Sequence, residues 1–283
     1  MNKIIKDQID NLKPSATLAI NEESNKLKKA GKIIYKFGFG QSPFPIPDAV
    51  ISALKNSANK NTYLPMQGLE ELRKVIANDL NRSNGNSFKA EDVVIGPGTK
   101  ELMFLTQIAF NGDILLPAPS WVSYQPQAII AKNRVYWVQT DINTNWFPTA
   151  KLIEDKIKTI KNKNLLLFLN SPNNPSGTIC ENSEEIAKIA KKYKLIVLSD
   201  EIYSRLTFDK KYLSISNFYP EGTIISSGLS KWCGAGGWRL GFFAIPRQLK
   251  ELKNSLKILC SESFTSVSAP IQYAAIEAYK GDH

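Results

Sequence analysis

The sequence contains a single histidine, His283, its last residue. A chain so poor in imidazole has no Ser-His-Asp or Cys-His pair to activate a nucleophile, and no set of imidazoles to ligate a metal. Acid–base chemistry must then run on lysine, carboxylates, tyrosine or a cofactor. Cysteine is sparse as well. Cys180, Cys233 and Cys260 lie far apart, form no C-x-x-C pair, and suit a reducing, cytoplasmic setting better than a disulfide framework. No apolar run approaches the roughly 18 to 20 residues of a membrane span, so no membrane partner is expected. The opening MNKIIKDQIDNLKPSATLAI carries acidic residues and no continuous apolar core, which reads as neither a signal nor a transit peptide. Neither a Walker loop nor a G-x-G-x-x-G fingerprint occurs.

Positive charge is in excess, at a net +10 over 283 residues. The lysines are scattered through helical stretches, as in KLKK (26–29) and KIKTIKNK (156–163), and no basic run is interleaved with aromatics. With no helix-turn-helix or zinc pattern either, a solvated basic face is expected rather than nucleic-acid binding. At 43% hydrophobic the chain can bury a substantial core.

Apolar, β-rich runs recur along that core: DVVIG (92–96), DILLP (113–117), RVYWV (134–138), NLLLFLN (164–170), LIVLSDE (195–201), TIIS (223–226) and GFFAI (241–245). Amphipathic stretches at 99–110, 122–131, 149–162 and 183–193 separate many of them. Strands apolar throughout and separated by helices predict an α/β fold, a mostly parallel sheet with helices on both faces. Ligands of such sheets lie beyond the carboxyl ends of the strands.

The residues that follow those ends are PGTK, APSW, SPNNPSGT, DEIY and SGLSK. Lys231, hemmed by small residues after an apolar strand, is either an amine exposed to a reactive aldehyde or an ordinary surface lysine. Gly98, Thr99 and Lys100 open a helix, whose amides would face a phosphate or simply cap the turn. Arg239 offers a planar fork to a phosphate, or an ordinary salt bridge. Asp200 sits at a buried strand end and needs a partner, a protonated ring nitrogen or a structural cation. Tyr203 can offer its phenol to a ring oxygen or be core, and Trp121 can stack on a ring or sit at an interface.

Taken together, NSPNNPSGT (170–178), SDEIYSRLTF (199–208) and SSGLSKWCGAGGWRLG (226–241) resemble the fold-type I, class I/II aminotransferases, which use pyridoxal 5′-phosphate. The similarity runs in order from YLPMQGLEELRKVIA (63–77) to GWRLG (237–241). The resemblance implies an internal aldimine on Lys231, which then carries the proton. It implies that Asp200 holds the ring nitrogen protonated, that Tyr203 and Asn174 bond the ring oxygen, and that Trp121 stacks on the ring. Gly98, Thr99, Lys100, Ser230 and Arg239 would hold the phosphate, and Tyr63 would reach the phosphate of a second subunit in a homodimer with shared sites. Gly40, Trp121 and Asn174 would lie near the substrate, an amino acid or a 2-oxo acid. The Asn174–Pro175 bond is cis in relatives.

Departures from the pattern shape further expectations. Gly228 stands where relatives usually have Ser, leaving Ser230 or Ser227 to compensate, and GFGQSPFPIP (38–47) lacks the acidic residue of G-x-P-D. AAIEAYKGDH (274–283) reads as the helix that leads in relatives to a C-terminal small domain of on the order of a hundred residues. The expected organisation is an N-terminal arm with part of a small domain (1–40) and a cofactor-binding large domain (41–283), without the C-terminal domain and its carboxylate-binding arginine. The competing readings are a β-lyase or decarboxylase of the same fold, a truncated form that binds the cofactor without turnover, and the ligand-sensing domain of a regulator. The N-terminus leaves no room for the DNA-binding domain the last requires.

Overall fold

A computed structural model describes residues 4–10, 12–35, 38, 40–208 and 212–281; Phe39 and His283 lie outside them. The apolar runs form β1 (Val93–Gly96), β2 (Asp113–Ala118), β3 (Val135–Gln139), β4 (Leu165–Asn170), β5 (Ile196–Asp200), β6 (Thr223–Gly228) and β7 (Gly241–Ala244), joined in one sheet in the order β1-β7-β6-β5-β4-β2-β3. β2 to β6 pair in parallel, and β7 runs against both of its neighbours, β1 and β6. The segment 229–240 between β6 and β7 holds only a 3-10 turn, Gly236–Trp238, and no helix that could cross over. The chain therefore returns antiparallel. β1 to β6 end on one rim, and β7 begins there.

The helices are α1 (Asp7–Asp10), α2 (Ala16–Lys29), α3 (Asp48–Ser57), α4 (Glu70–Asn84), α5 (Thr99–Ala109), α6 (Tyr124–Ile130), α7 (Ala150–Lys158), α8 (Ser183–Lys192), α9 (Lys250–Ser263) and α10 (Ala269–Lys280). Alternation along each strand divides the core between two faces. Val94, Leu166, Phe168, Ile224 and Phe243 pack against α5, α6 and α9 through Leu102, Met103, Ala128 and Leu256. On the other face Leu165, Leu167 and Leu169 meet Ile153 and Ile157 of α7 and Ile186 of α8. Farther along that face Ile95, Ile225 and Phe242 meet Leu72 and Ile76 of α4 and Ala275 of α10. Leu166 and Leu167 are wholly buried, and burying a side chain of that size contributes about 2 kcal/mol.

Helix ends are placed by local chemistry. α4 stops at Gly85, whose φ of 66° closes the last turn. Thr149 starts α7 by accepting the Leu152 N–H on its hydroxyl. α1 and α2 bury no side chain in this chain, and Leu18 and Ile20 of α2 stand exposed, as does Ile33 after it. Among the described residues no helix is long and apolar enough to cross a membrane.

Candidate active site

β4 and β5 end side by side, with Asn170 opposite Asp200 in register. Asn170 ties this rim together. Its Nδ2 donates to the Asp200 carbonyl at 2.9 Å, and its Oδ1 accepts the Asn174 N–H at 2.7 Å. Asn174, thereby held forward, donates through Nδ2 to the Tyr203 hydroxyl at 3.3 Å. The Asn174–Pro175 bond is cis.

The Asp200 side chain is 5% exposed. Its Oδ2 accepts a 2.6 Å hydrogen bond from the Tyr124 hydroxyl, while Oδ1 is buried with no partner among the described residues. Burial pushes this carboxyl up to about 6, against the opposing pull of the Tyr124 hydrogen bond, the Ile202 amide and the Lys231 charge. Tyr124 is fixed in turn by Phe168, 4.8 Å away, and by Trp121, edge-on at 5.3 Å. The Lys100 ammonium lies 5.6 Å from the Trp121 ring.

Lys231, just beyond β6, donates from Nζ to the Gly40 carbonyl and stands 5.5 Å from the centre of the Tyr203 ring. Burial lowers its pKa; the Asp200 carboxylate opposes this and the Arg239 charge adds to it. Burial raises the Tyr203 phenol, the Asp200 charge adding to the effect and the Asn174 hydrogen bond opposing it. The amine is thus biased towards its neutral, nucleophilic form.

A second feature lies where α5 begins. Gly98 has a φ of 88°, and a Cβ there would fall 2.3 Å from Arg239 Nη2. The Gly98 amide bonds the Gly96 carbonyl at 2.7 Å and so does not face outward as expected, while the missing side chain leaves room for Arg239. Thr99 and Lys100 occupy the first turn of α5, where amides have no intrahelical acceptor. A Cβ on Gly241 would fall 2.5 Å from the Thr99 amide nitrogen, so the start of β7 forms one wall of the same recess. Gly228 faces Gly241 across the β6–β7 pair, with backbone too close for a side chain. In this chain that contact leaves no room for a serine side chain three positions before Lys231. Arg239 bonds the Gly236 and Pro97 carbonyls at 2.8 and 3.4 Å, and among the described residues it forms no ion pair. Half-buried Ser230 precedes Lys231 on the same turn, and Ser227 Oγ donates to the Glu201 carbonyl at 3.4 Å.

Lys231, Asp200, Tyr203, Asn174 and Gly40 are thus joined by direct contacts or through Asn170. Thr99, Gly98 and Arg239 form the second group, Arg239 reaching Lys231 through its charge. Tyr63 stands apart, 87% exposed on the segment between α3 and α4 and without a hydrogen bond to either group. Two members escape sequence reasoning. Tyr124 resembles a core residue in an apolar helix, although its position three residues after Trp121 could have indicated a shared face. Asn170 lies inside a quoted motif, but its role depends on a strand register that sequence does not display. The hollow of about 530 Å³ lined by Asp113, Arg134, Tyr136, Thr159, Lys161 and Asn162 opens at the amino ends of β2 and β3, away from this rim. No group of residues able to hold a metal ion occurs among the described residues.

Over residues 32–283 the chain matches the family described as Aminotransferase class I and II. It is 32% identical over 294 residues to the aspartate aminotransferase of Bacillus sp. (strain YM-2), covering 99% of this chain and 73% of that protein. It is 31% identical to the probable aspartate/prephenate aminotransferase of Rickettsia conorii, over 98% of this chain and 71% of that one. The solved structure of the Thermus thermophilus aspartate aminotransferase with maleate superposes with a TM-score of 0.91 at 29% identity, over 98% of this chain and 73% of that one. Rim geometry, sequence and fold agree: the chain belongs to the class I and II aminotransferases, transaminases that use pyridoxal 5′-phosphate.

Proposed function

We propose that this chain moves an amino group between a dicarboxylic amino acid and a 2-oxo acid, with Lys231 as the group that joins the cofactor and carries the proton. The dicarboxylic preference is supported by the relatives named aspartate aminotransferase and by the dicarboxylate maleate in the Thermus thermophilus structure.

The observation that carries the reading is Asp200. A buried carboxylate with one oxygen satisfied and the other without a partner among the described residues is unfavourable unless a cation or N–H completes it. A protonated pyridine nitrogen does so. The recess between Gly98, Thr99, Gly241 and Arg239, at the positive end of α5 and with a guanidinium that meets no carboxylate among the described residues, suits a phosphate. The residues present therefore fit pyridoxal 5′-phosphate. Bound there, the group supplies an aldehyde that takes up amino groups and a ring that draws electrons from the substrate Cα–H bond.

The side chains do the rest. Asp200 keeps the proton on the ring nitrogen. Tyr203 and Asn174 present a phenol and an amide to the ring oxygen, and Trp121 covers the ring face. Thr99, Lys100 and Arg239 hold the phosphate, with Ser230 beside them. Lys231 Nζ takes the substrate Cα proton and returns it. Gly40 and Asn174 border the substrate. Residues 41–283 make up the cofactor-binding body and residues 1–40 an arm on it. Tyr63 serves the phosphate of a second copy in a homodimer.

The test is an absorbance spectrum with pyridoxal 5′-phosphate, followed by borohydride reduction and peptide mapping. A visible band, and a reduced adduct on Lys231 that is lost in Lys231→Ala, are expected. Aspartate with a 2-oxo acid should then yield a new amino acid. Adducts spread over many lysines, or pyruvate and ammonia with no new amino acid, would sink the reading.

A further inference from the structure

Lys231 and Tyr203 stand on separate turns, one after β6 and one after β5, with 5.5 Å between the amine and the phenol ring. What links these turns lies just behind the reacting groups. Arg205 follows Tyr203 by two residues, and Trp232 is the neighbour of Lys231. The Arg205 guanidinium carbon lies 4.2 Å from the centre of the Trp232 ring and 5.7 Å from that of Tyr279 on α10. Its Nη2 meets Asp79 Oδ2 of α4 at 2.5 Å, while Asp79 Oδ1 takes Arg82 at 3.2 Å. Asp79 is 8% exposed, and Trp232 and Tyr279 meet edge to face at 5.7 Å.

A guanidinium can do both things at once, its edge to a carboxylate and its face to an indole, where an ammonium cannot. With Asp79 buried, loss of Arg205 leaves its carboxylate to the exposed Arg82 alone, so this pair is held in place in a way that exposed pairs are not. The α4 helix thus supports the turn of Tyr203 through Asp79, and the turn of Lys231 through the stacked indole.

We propose that Arg205 is a positioning residue: anchored by Asp79 and laid on Trp232, it ties the turn of Tyr203 to the turn of Lys231 and fixes the spacing of phenol and amine. The proposal rests on Lys231 being the reactive amine. A misplacement of about 1 Å can cost about a hundredfold in rate. Arg205→Met and Trp232→Leu should therefore each lower kcat about 10- to 100-fold, with KM changed by less than about threefold.

The chain loaded with pyridoxal 5′-phosphate gives a second readout. The pH midpoint of its visible absorbance, set by Lys231 with Asp200, Tyr203 and Arg239 around it, should move in both variants. The double variant should be no worse than either single one, because both break the same tie. Arg205→Lys, which keeps a charge on Asp79 but not the plane on Trp232, should recover part of the loss. Arg82→Met removes the other cation from Asp79; it should lower the thermal midpoint and leave kcat and the absorbance midpoint as in the wild type.

Unchanged absorbance midpoints in Arg205→Met and Trp232→Leu, with thermal stability alone reduced, overturn the proposal. So do losses that multiply in the double variant. If Arg205→Met does not fold, Trp232→Leu alone carries the same decision. A wild-type chain in which borohydride fails to label Lys231 overturns the parent assignment, and the tie with it.

Discussion

Asp200 is a carboxyl placed where water cannot reach it, and its folded-state value near 6 lies above the ordinary 3.8. The folded chain without cofactor therefore holds this proton more tightly than the unfolded chain. The resulting stability is fully present below about pH 4 and is lost as pH rises through about 6, an effect of up to about 3 kcal/mol. Glu201 beside it, 2% exposed and raised to about 7 by burial, adds a loss in the same direction between about pH 4.5 and 7. Asp200→Asn should thus raise the unfolding temperature of the cofactor-free chain at pH 7.5 by several degrees, with a smaller gain at pH 4.5, while transaminase turnover falls on the order of a thousandfold. Calorimetry at the two pH values and an activity assay check both halves. Tyr124→Phe removes the hydrogen bond that favours the charged carboxylate, so cofactor affinity should drop about tenfold in an absorbance titration. At this scale the sequence exposes residues whose type is odd for their place, such as a lysine among glycines or an aspartate after LIVLS. Tyr124 stays hidden because a phenol whose one polar atom is satisfied packs like any other apolar ring.

The recess at the head of α5 depends on close approach of three elements, β1, β7 and α5. Gly241→Ala would push its new methyl against the Thr99 amide and part β7 from the helix. Affinity for pyridoxal 5′-phosphate should then fall by more than about tenfold, while capture of pyridoxal, which lacks the phosphate, stays near wild type; paired titrations separate the two. Arg239→Met should show the same selectivity. The strands were legible because each is apolar throughout and bounded by turns, and α5 to α8 because their periodicity differs. The direction of β7 was less so, since an apolar run does not state its polarity. The glycine-rich 229–240 link, with no helical pattern, was the available clue. The ties between distant elements, such as Asp79 with Arg205 across 126 positions, leave no mark in the sequence.

A second copy in the proposed homodimer would give the exposed side chains Leu18, Ile20, Ile33, Phe44 and Tyr63 a surface to meet. If that copy lends Tyr63 to this site, Lys231→Ala and Tyr63→Phe chains should each be impaired alone. Their mixture should recover activity through hybrid dimers that contain one intact site, and an assay after denaturation and refolding together reads this directly. No recovery would confine each site to its own chain. The reversal of β7 matters at this scale too. Because β6 and β7 are pinned together at Gly228 and Gly241, the loop between them is closed at its base, and it carries both Lys231, the proposed reactive amine, and Arg239, the proposed phosphate ligand. The two groups therefore sit on one cassette, which Arg205 braces from outside through Trp232. A circularly permuted chain opened at the β3 edge would keep the cassette whole, and one opened between Lys231 and Arg239 would not.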